Sequence, residues 1–186
     1  MSFLKKSPVF DEVLSWIKSA LIALIIVVIC RTYIFTPTLV KGESMMPNLQ
    51  DGNCLIISKI GEPKRFDEVV FHATDSKDDY IKRVIGLPGD TVEMKNDTLY
   101  VNGIVYKEPY LNLGKKKLPF KEKYTGDFTL KEITGRTKVP KDSLFVLGDN
   151  RPISNDSRIF GFIPQKSVIG KVKLQVWPLS EIGIPK

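Results

Sequence analysis

The stretch Tyr80-Ile81-Lys82-Arg83-Val84-Ile85-Gly86-Leu87-Pro88-Gly89-Asp90 decides the fold, because a β-strand pattern runs directly into a tight turn. Residues 80–85 are rich in aromatic and β-branched side chains, which favour strands over helices. In the turn at 87–90, proline and glycine occupy the two central positions of type II geometry. This stretch therefore predicts a β-strand that is followed directly by a tight turn.

Short strand patterns bounded by turn residues recur on both sides of this stretch. No long amphipathic helix pattern interrupts them, so we predict a mainly antiparallel β domain. The further segments with strand character are residues 54–58, 68–72, 143–147 and 168–177.

A small lobe is predicted to be inserted near residues 91–142. A hairpin across Lys95-Asn96-Asp97 would join strands at 91–94 and 98–101. Asn102-Gly103 predicts a type I′ turn before a further short strand. The remainder of the lobe is polar, basic and less regular.

Charge is concentrated in this lobe. The chain carries a net charge of +7, and residues 107–141 hold ten Lys or Arg against four Asp or Glu. A solvated surface is the simpler interpretation, and attraction to anionic lipid headgroups is the alternative. The segment has no recognisable nucleic-acid-binding motif, so we predict no nucleic-acid partner.

The few cysteine and histidine residues argue against disulfide or metal chemistry. Cys30 and Cys54 are the only cysteines and give no disulfide framework. One histidine and two distant cysteines do not form a ligand cluster at zinc spacing. We therefore predict neither a metal nor another cofactor.

Residues 19–30 form an uncharged apolar run of twelve residues, Ser-Ala-Leu-Ile-Ala-Leu-Ile-Ile-Val-Val-Ile-Cys. A bilayer core needs about 20 residues. The segment reaches that length as residues 13–35 if Lys18 and Arg31 extend their charges toward opposite headgroup layers. We therefore predict a single transmembrane helix.

Two alternatives to an uncleaved anchor exist for this segment. A cleaved signal peptide fits the core length, but Arg31-Thr32-Tyr33 follows without a small-x-small cleavage pattern. A buried core helix is less favoured, because the run is apolar on all faces.

Lysines flank the apolar core unequally. Lys5, Lys6 and Lys18 precede it, whereas Arg31 and Lys41 follow it. The positive-inside rule then favours a cytoplasmic N-terminus. We predict a single-pass cell-membrane protein whose remaining chain lies outside the cytoplasm.

The pair Ser44 and Lys82 carries the strongest indication of chemistry. Ser44 lies in Lys41-Gly42-Glu43-Ser44-Met45-Met46-Pro47, and Lys82 follows 38 residues later. A serine hydroxyl needs a base to become a nucleophile, and a buried lysine with a pKa of roughly 7–8 can serve. Apolar neighbours of Lys82 supply such a setting. Since Ser44 closely follows the membrane segment, we predict a protease working at a membrane surface.

Residues 148–158, Gly-Asp-Asn-Arg-Pro-Ile-Ser-Asn-Asp-Ser-Arg, hold two Asp, two Arg and two Ser. This density of pairable groups predicts a hydrogen-bonded shell that supports a lysine base. In order and spacing, residues 42–47, 80–90 and 148–158 resemble the motif boxes of bacterial type I signal peptidases. The single anchor and short insert resemble the Gram-positive form, and the resemblance covers nearly the whole chain.

The resemblance implies a fold and a function. It implies an extracytoplasmic, membrane-bound serine endopeptidase that removes signal peptides from secreted preproteins, with preproteins and membrane lipid as partners. The expected fold is a single transmembrane helix followed by an antiparallel β catalytic domain with a small inserted β lobe. The predicted domains are residues 1–36 (cytoplasmic N-terminus and anchor), 37–90 (catalytic domain, first part), 91–142 (inserted lobe) and 143–186 (catalytic domain, second part).

The resemblance also implies residue roles. Ser44 would be the acylated nucleophile, and Lys82 would take its proton and return it to the leaving amine. Ser154 would orient the Lys82 amine through a hydrogen bond. Asp156 and Arg158 would pair to hold the shape of the site, with Asp149 alongside.

Two features concern the substrate and the oxyanion. Some family members have a serine two residues before the nucleophile, and its hydroxyl helps to bind the oxyanion. This chain has Gly42 at that position. Backbone N–H groups, chiefly that of Ser44, would therefore bind the oxyanion. The family cleaves substrates that have small residues at the first and third positions before the scissile bond. The candidates to line shallow substrate pockets, or alternatively to form ordinary core, are Val40, Met45, Leu49 and Ile81.

Four other interpretations are weaker. A histidine-based hydrolase would use Ser44, His72 and an aspartate such as Asp149, but the Gly-x-Ser-x-Gly elbow is absent. Penicillin-binding chemistry would use a Ser-x-x-Lys motif, which Ser15-Trp16-Ile17-Lys18 matches. That match sits in the predicted anchor, however, and no Lys-Thr-Gly motif accompanies it. A self-cleaving Ser-Lys repressor would need a DNA-binding domain in place of the membrane segment. A catalytically dead binding module would be expected to lack Ser44 or Lys82.

Overall fold

The computed structural model describes residues 8–119 and 122–185, with side chains from residue 12 onward. Lys5 and Lys6, on which the predicted orientation partly rests, lie outside the described residues, as does Lys121 of the basic segment.

The N-terminal segment is one long exposed helix. Helix α1 covers Pro8–Ile29 and continues as a π-helical turn over Cys30–Ile34. Within the 23-residue segment Glu12–Ile34, an 18-residue window has a mean hydropathy of 2.6, and none of that window is buried against the rest of the protein. At about 1.5 Å per residue, this length exceeds the roughly 30 Å of a bilayer core. It is the one helix in the described part of the chain that is long and apolar enough to span a membrane.

The remaining chain is mainly β, as predicted. Short helices α2 (Asn112–Lys115), α3 (Leu130–Thr134) and α4 (Ser157–Phe160) lie between the strands. The strands are β1 (Phe35–Leu39), β2 (Cys54–Ser58), β3 (Glu68–His72), β4 (Asp79–Gly86), β5 (Val92–Lys95), β6 (Thr98–Val101), β7 (Ile104–Tyr106), β8 (Phe128–Thr129), β9 (Ser143–Leu147), β10 (Ile163–Pro164) and β11 (Val168–Trp177).

The strands form two antiparallel sheets. The larger sheet has the order β1-β2-β11-β3-β4-β9-β10, and the smaller one the order β7-β6-β5-β8. The smaller sheet is inserted in sequence between β4 and β9, which are neighbours in the larger sheet. The exact division into domains stays a prediction.

Apolar residues are buried on both faces of the larger sheet. On one face, Val70 and Ile81 pack under the loop between β1 and β2, together with Met45 and Leu49 of that loop. On the other face, strands β3, β4 and β9 contribute a second cluster that includes Phe71. Such two-sided burial explains why β3 contains the continuous apolar run Val69-Val70-Phe71 rather than an alternating pattern.

A third apolar cluster joins the two sheets. Ile85 of β4 and Phe145 of β9 pack with Met94 of β5, Leu99 of β6 and Phe128 of β8. The smaller sheet therefore has no separate core and is fixed against the strands that carry the candidate site.

The predicted turns are confirmed. Gly89 has φ +86°, and the Asp90 N–H donates to the Leu87 carbonyl at 3.0 Å, as type II geometry requires. Asn102 and Gly103 have φ values of +53° and +76°, the left-handed conformation of a type I′ turn. The hairpin predicted across residues 95–97 is also present, with its turn formed by Asn96 and Asp97.

Candidate active site

Ser44 lies in the loop between β1 and β2, which is anchored at both ends. The Val40 N–H donates to the Asn53 carbonyl at 2.8 Å and closes the base of the loop. Met45 and Leu49 are buried in the core beneath it. The Asn150 N–H donates to the Ser44 carbonyl at 2.9 Å, so the 148–158 segment fixes the serine from the other side.

Lys82 projects from β4 directly at this serine. Its Nζ atom lies 2.6 Å from Ser44 Oγ, and the residue is 3% exposed. Burial lowers the pKa of Lys82 from 10.5 to about 8, although the carboxylates of Asp156, Asp149 and Asp75 act in the opposite direction. A lysine with this pKa is partly neutral near physiological pH, and its neutral amine can accept the Ser44 proton.

Ser154 lies beside this pair but does not make the predicted hydrogen bond to Lys82. Its residue is 4% exposed, and its Oγ atom has no hydrogen-bond partner among the described residues. The lysine amine is directed at Ser44 instead. Gly148 explains how the serines approach so closely, because a Cβ at this position would overlap Ser154 Oγ and lie 2.5 Å from the Ser44 carbonyl oxygen.

Asp156 and Arg158 form the expected pair. Arg158 Nε donates to Asp156 Oδ1 at 2.8 Å, and Nη2 donates to Oδ2 at 2.9 Å. The same carboxylate caps α4 and accepts the Gly148 N–H at 3.0 Å. Arg158 Nη2 also donates to the Arg151 carbonyl at 2.7 Å. Asp156 and Arg158 thus tie together both ends of the segment that flanks Ser44.

Asp149, expected alongside the Asp156–Arg158 pair, instead binds Arg83 and Asn48. It accepts from Arg83 Nε at 2.9 Å and Nη2 at 2.6 Å, and from Asn48 Nδ2 at 2.7 Å. Arg83 also binds its cross-strand neighbour Glu68 at 2.6 Å. Burial raises the pKa of Glu68 to about 7, which the Arg83 charge partly opposes. Arg83 is thus in a buried ion-pair network, which agrees with a structural role.

Arg151 is a further buried cation that the sequence does not single out. Its side chain is fully buried and donates to the Gly148 carbonyl at 2.9 Å, to Thr125 Oγ1 at 3.2 Å and to Glu108 Oε1 at 2.6 Å. The density of charges in 148–158 indicates such a network. The partners Glu108 and Thr125 come from the inserted lobe, and no local signal marks them.

An open cleft of about 810 Å³ lies beside Ser44 and Lys82. Among the predicted pocket residues, Val40, Met45 and Ile81 line it. Leu49 does not: it is fully buried in the core below the loop, because its position in the Met45–Leu49 turn points it inward. Charged residues at the rim of the cleft are Lys41, Glu43, Lys77, Asp78 and Asp79.

The backbone before Ser44 has a conformation that favours glycine. Gly42 has φ +81°, and its N–H donates to Asp51 Oδ1 at 2.7 Å. A serine at this position would be strained in that conformation. Over the described residues, the Ser44 N–H donates no hydrogen bond, so it can serve a ligand.

His72 is far from forming a triad with Ser44. Its side chain is 72% exposed and lies 2.7 Å from Asp79, while Asp149 is occupied by Arg83. Within residues 8–119 and 122–185, no group of three or more His, Cys, Asp or Glu side chains is arranged to bind a metal ion.

A serine hydroxyl held against a buried amine beside an open cleft is an arrangement used by one class of serine peptidases. The family model described as "Signal peptidase, peptidase S26" matches residues 13–177. The chain therefore belongs to the signal peptidase family, and it is a peptidase that cleaves signal peptides.

Individual relatives agree with this assignment. The chain is 51% identical over 166 residues to signal peptidase I of Bacillus caldolyticus, covering 87% of this chain and 90% of that protein. It is 46% identical over 178 residues to signal peptidase IB of Staphylococcus aureus, covering 91% and 92%. A crystal structure of a signal peptidase I from Enterococcus faecalis is 49% identical, with a TM-score of 0.59, and covers 60% of this chain and 97% of that one.

Proposed function

We propose that this peptidase is a membrane-anchored serine endopeptidase in which Ser44 is the nucleophile and Lys82 is the general base. The observation that carries this proposal is the 2.6 Å distance between Lys82 Nζ and Ser44 Oγ, with the amine buried. A hydroxyl and an amine at hydrogen-bond distance can exchange a proton directly. Because the pKa of Lys82 is about 8, part of the amine population is neutral near physiological pH and can accept the Ser44 proton.

In the first half-reaction, Ser44 Oγ attacks the carbonyl carbon of the scissile peptide bond as its proton passes to Lys82 Nζ. The negative charge that forms on the carbonyl oxygen would be stabilised by the Ser44 N–H. When the C–N bond breaks, the Lys82 ammonium gives its proton to the leaving amine of the mature protein. The signal peptide remains attached to Ser44 as an ester.

In the second half-reaction, water attacks the ester and its proton passes to the neutral Lys82. The ester bond to Ser44 then breaks, the serine oxygen regains a proton from Lys82, and the signal peptide leaves with a free carboxylate. The supporting residues would act by holding this geometry. Asp156 and Arg158 fix the 148–158 segment, Asp149 anchors it to Arg83, and Ser154 contributes to the polar surroundings of the amine.

The substrate would bind in the cleft as an extended strand, with its small side chains in shallow pockets. Strand addition gives backbone hydrogen bonds, and pocket depth then sets which side chains fit. Val40, Met45 and Ile81 are the proposed pocket residues. Large side chains would collide with these buried apolar groups, which accounts for a preference for small residues at the cleavage site.

The helix Glu12–Ile34 would anchor the enzyme in the cell membrane, with the N-terminus in the cytoplasm and the β domain outside. Ser44 follows Phe35 by nine residues. Fully extended, these reach at most about 30 Å, so the nucleophile stays near the membrane face where a preprotein emerges. Lipid is thus a proposed partner, and no nucleic-acid or cofactor role is proposed.

Preprotein cleavage in lipid or detergent tests the catalytic assignment. Ser44→Ala and Lys82→Met should abolish cleavage, whereas His72→Ala should remain active. A serine-directed acylator should label wild type at Ser44, as located by peptide mass spectrometry. Full activity of Lys82→Met together with loss in His72→Ala would replace the lysine base by a histidine.

Cysteine labelling in intact cells tests the topology. In a Cys30→Ser, Cys54→Ser background, Ser76→Cys places one thiol in an exposed loop of the β domain. A membrane-impermeant maleimide should label it in intact cells. Labelling that requires cell lysis would place the β domain in the cytoplasm and contradict the proposed orientation.

A further inference from the structure

The loop of residues 73–78, between β3 and β4, forms one wall of the cleft without belonging to the sheet. Lys77 and Asp78 line the cleft from this loop, and residues 74–78 are exposed. The backbone bonds of the loop are local, such as the one from the Ala73 N–H to the Asp78 carbonyl at 3.1 Å. These bonds shape the loop but do not fix its position over the cleft.

One side-chain contact ties this loop to the opposite side of the site. Asn155 Nδ2 donates to Asp75 Oδ2 at 2.8 Å. Over the described residues, it is the only side-chain hydrogen bond from the 73–78 loop to anything outside the β3–β4 hairpin. Asn155 itself lines the cleft. The contact therefore closes one side of the cleft by joining two segments 80 residues apart in sequence.

The backbone that carries Asn155 is rigid, so it can act as the fixed end of the contact. Asn155 stands between Ser154 and Asp156, which are both buried, and Asp156 is held by Arg158 and the Gly148 N–H. Asn155 Oδ1 is buried and has no partner in the described part of the chain, so the bond to Asp75 sets the orientation of the amide.

We propose that the hydrogen bond between Asn155 and Asp75 is a latch that holds the 73–78 loop as a wall of the substrate cleft. Both residues are then positioning residues for the extended peptide substrate, and neither takes part in the proton transfers. The inference rests on the proposed function, because this cleft holds the scissile peptide only if Ser44 is the nucleophile.

A double-mutant cycle on the full-length enzyme tests the latch. KM and kcat for a signal-peptide substrate are measured for Asp75→Ala, Asn155→Ala and the double variant. The assay is run about one unit above the Lys82 pKa of about 8, so that loss of the Asp75 charge does not change the protonation of the base. Each single variant should raise KM about three- to tenfold with kcat within about twofold, and the double variant should be no worse.

Two further variants separate the hydrogen bond from other effects. Asp75→Asn removes the same charge as Asp75→Ala but keeps an oxygen that accepts from Asn155, so its KM should stay near wild type. Thr74→Ala is the matched loop control and should have no effect. Unchanged KM in the single variants, additive effects in the double variant, or equal effects of Asp75→Asn and Asp75→Ala would each overturn the latch.

The outcomes also separate the latch from the proposed function. If Ser44→Ala stayed active, the proposed function would fail whatever the cycle shows. If Ser44→Ala were inactive and acylator labelling of Ser44 were normal in the latch variants while their effects were additive, only the latch would fail.

Discussion

Signal-peptide cleavage should depend on pH through the ionisation of Lys82. Burial lowers the pKa of this lysine from 10.5 to about 8. Only the neutral amine can accept the Ser44 proton, so activity should rise with pH and level off above about 8. At pH 7 the neutral fraction is roughly one in ten, against roughly one in three thousand for an unperturbed lysine, a gain of about 300-fold in competent enzyme.

The assay is kcat/KM in detergent micelles between about pH 6 and 10, with a signal-peptide substrate whose N-terminus is blocked and which contains no His, Cys, Tyr or Lys, so that the substrate does not titrate in this range. The logarithm of kcat/KM should rise with unit slope and bend near pH 8. Asp75→Asn removes a negative charge that favours the ammonium form, so it should move the bend to lower pH. Asp127→Asn, an exposed charge in the inserted lobe, should leave the bend in place.

Two results would refute this reasoning. A bend near pH 10 would mean that the amine is not desolvated in the working enzyme. A bend near pH 6 that disappears in His72→Ala would assign the base to the histidine, despite its exposure.

Three further predictions concern stability and packing at the same site. Lys82→Met should abolish cleavage yet raise the unfolding free energy at pH 7 by about 3 kcal/mol, as measured by urea denaturation. The reason is that the unfolded wild-type chain binds the lysine proton more tightly than the folded one, so wild-type stability falls as pH drops from 10.5 to 8. The difference between variant and wild type should therefore vanish near pH 10.5. Arg83→Met should lower the unfolding free energy by about 3–5 kcal/mol in the same assay, because its two carboxylate partners stay buried without a cation. Gly148→Ala should cut kcat/KM about 100-fold by displacing the serines it contacts, whereas Gly126→Ala, with open space around it, should match wild type.

Strand positions and turns could be predicted because their signals are local. The segments 54–58 and 68–72 coincide with β2 and β3, and Asn102-Gly103 forms the turn that its sequence indicates. Helix α3 was missed although its signal is present: Thr129 and Glu132 form a capping box at its start. Helix α2 has four residues and no side-chain cap, so nothing local marks it.

The site could be predicted only as far as residue chemistry reaches. Ser44 and Lys82 stand out because a serine nucleophile needs a base and this chain has a single histidine. The partners of residues 148–158 could not be found this way, because Arg151 forms its ion pair with Glu108, which lies 43 positions earlier in the sequence. Which apolar residue faces a cleft depends on backbone direction within a turn, so Val40 and Leu49 look alike in sequence but have different environments.

The buried cations of this domain differ in whether they have a carboxylate partner, and this difference explains how a lysine can serve as base. Arg83 and Arg151 each have a carboxylate partner at 2.6 Å, which offsets their desolvation and keeps them charged. In the described part of the chain, Lys82 has no ion pair within 4.0 Å, and its nearest polar partner is the neutral Ser44 hydroxyl. Burial of Lys82 therefore outweighs the opposing effect of the nearby carboxylates and lowers its pKa to about 8. The arginines hold the loops in place, and this keeps a lysine amine that lacks a direct ion pair against the serine instead of letting it turn toward water.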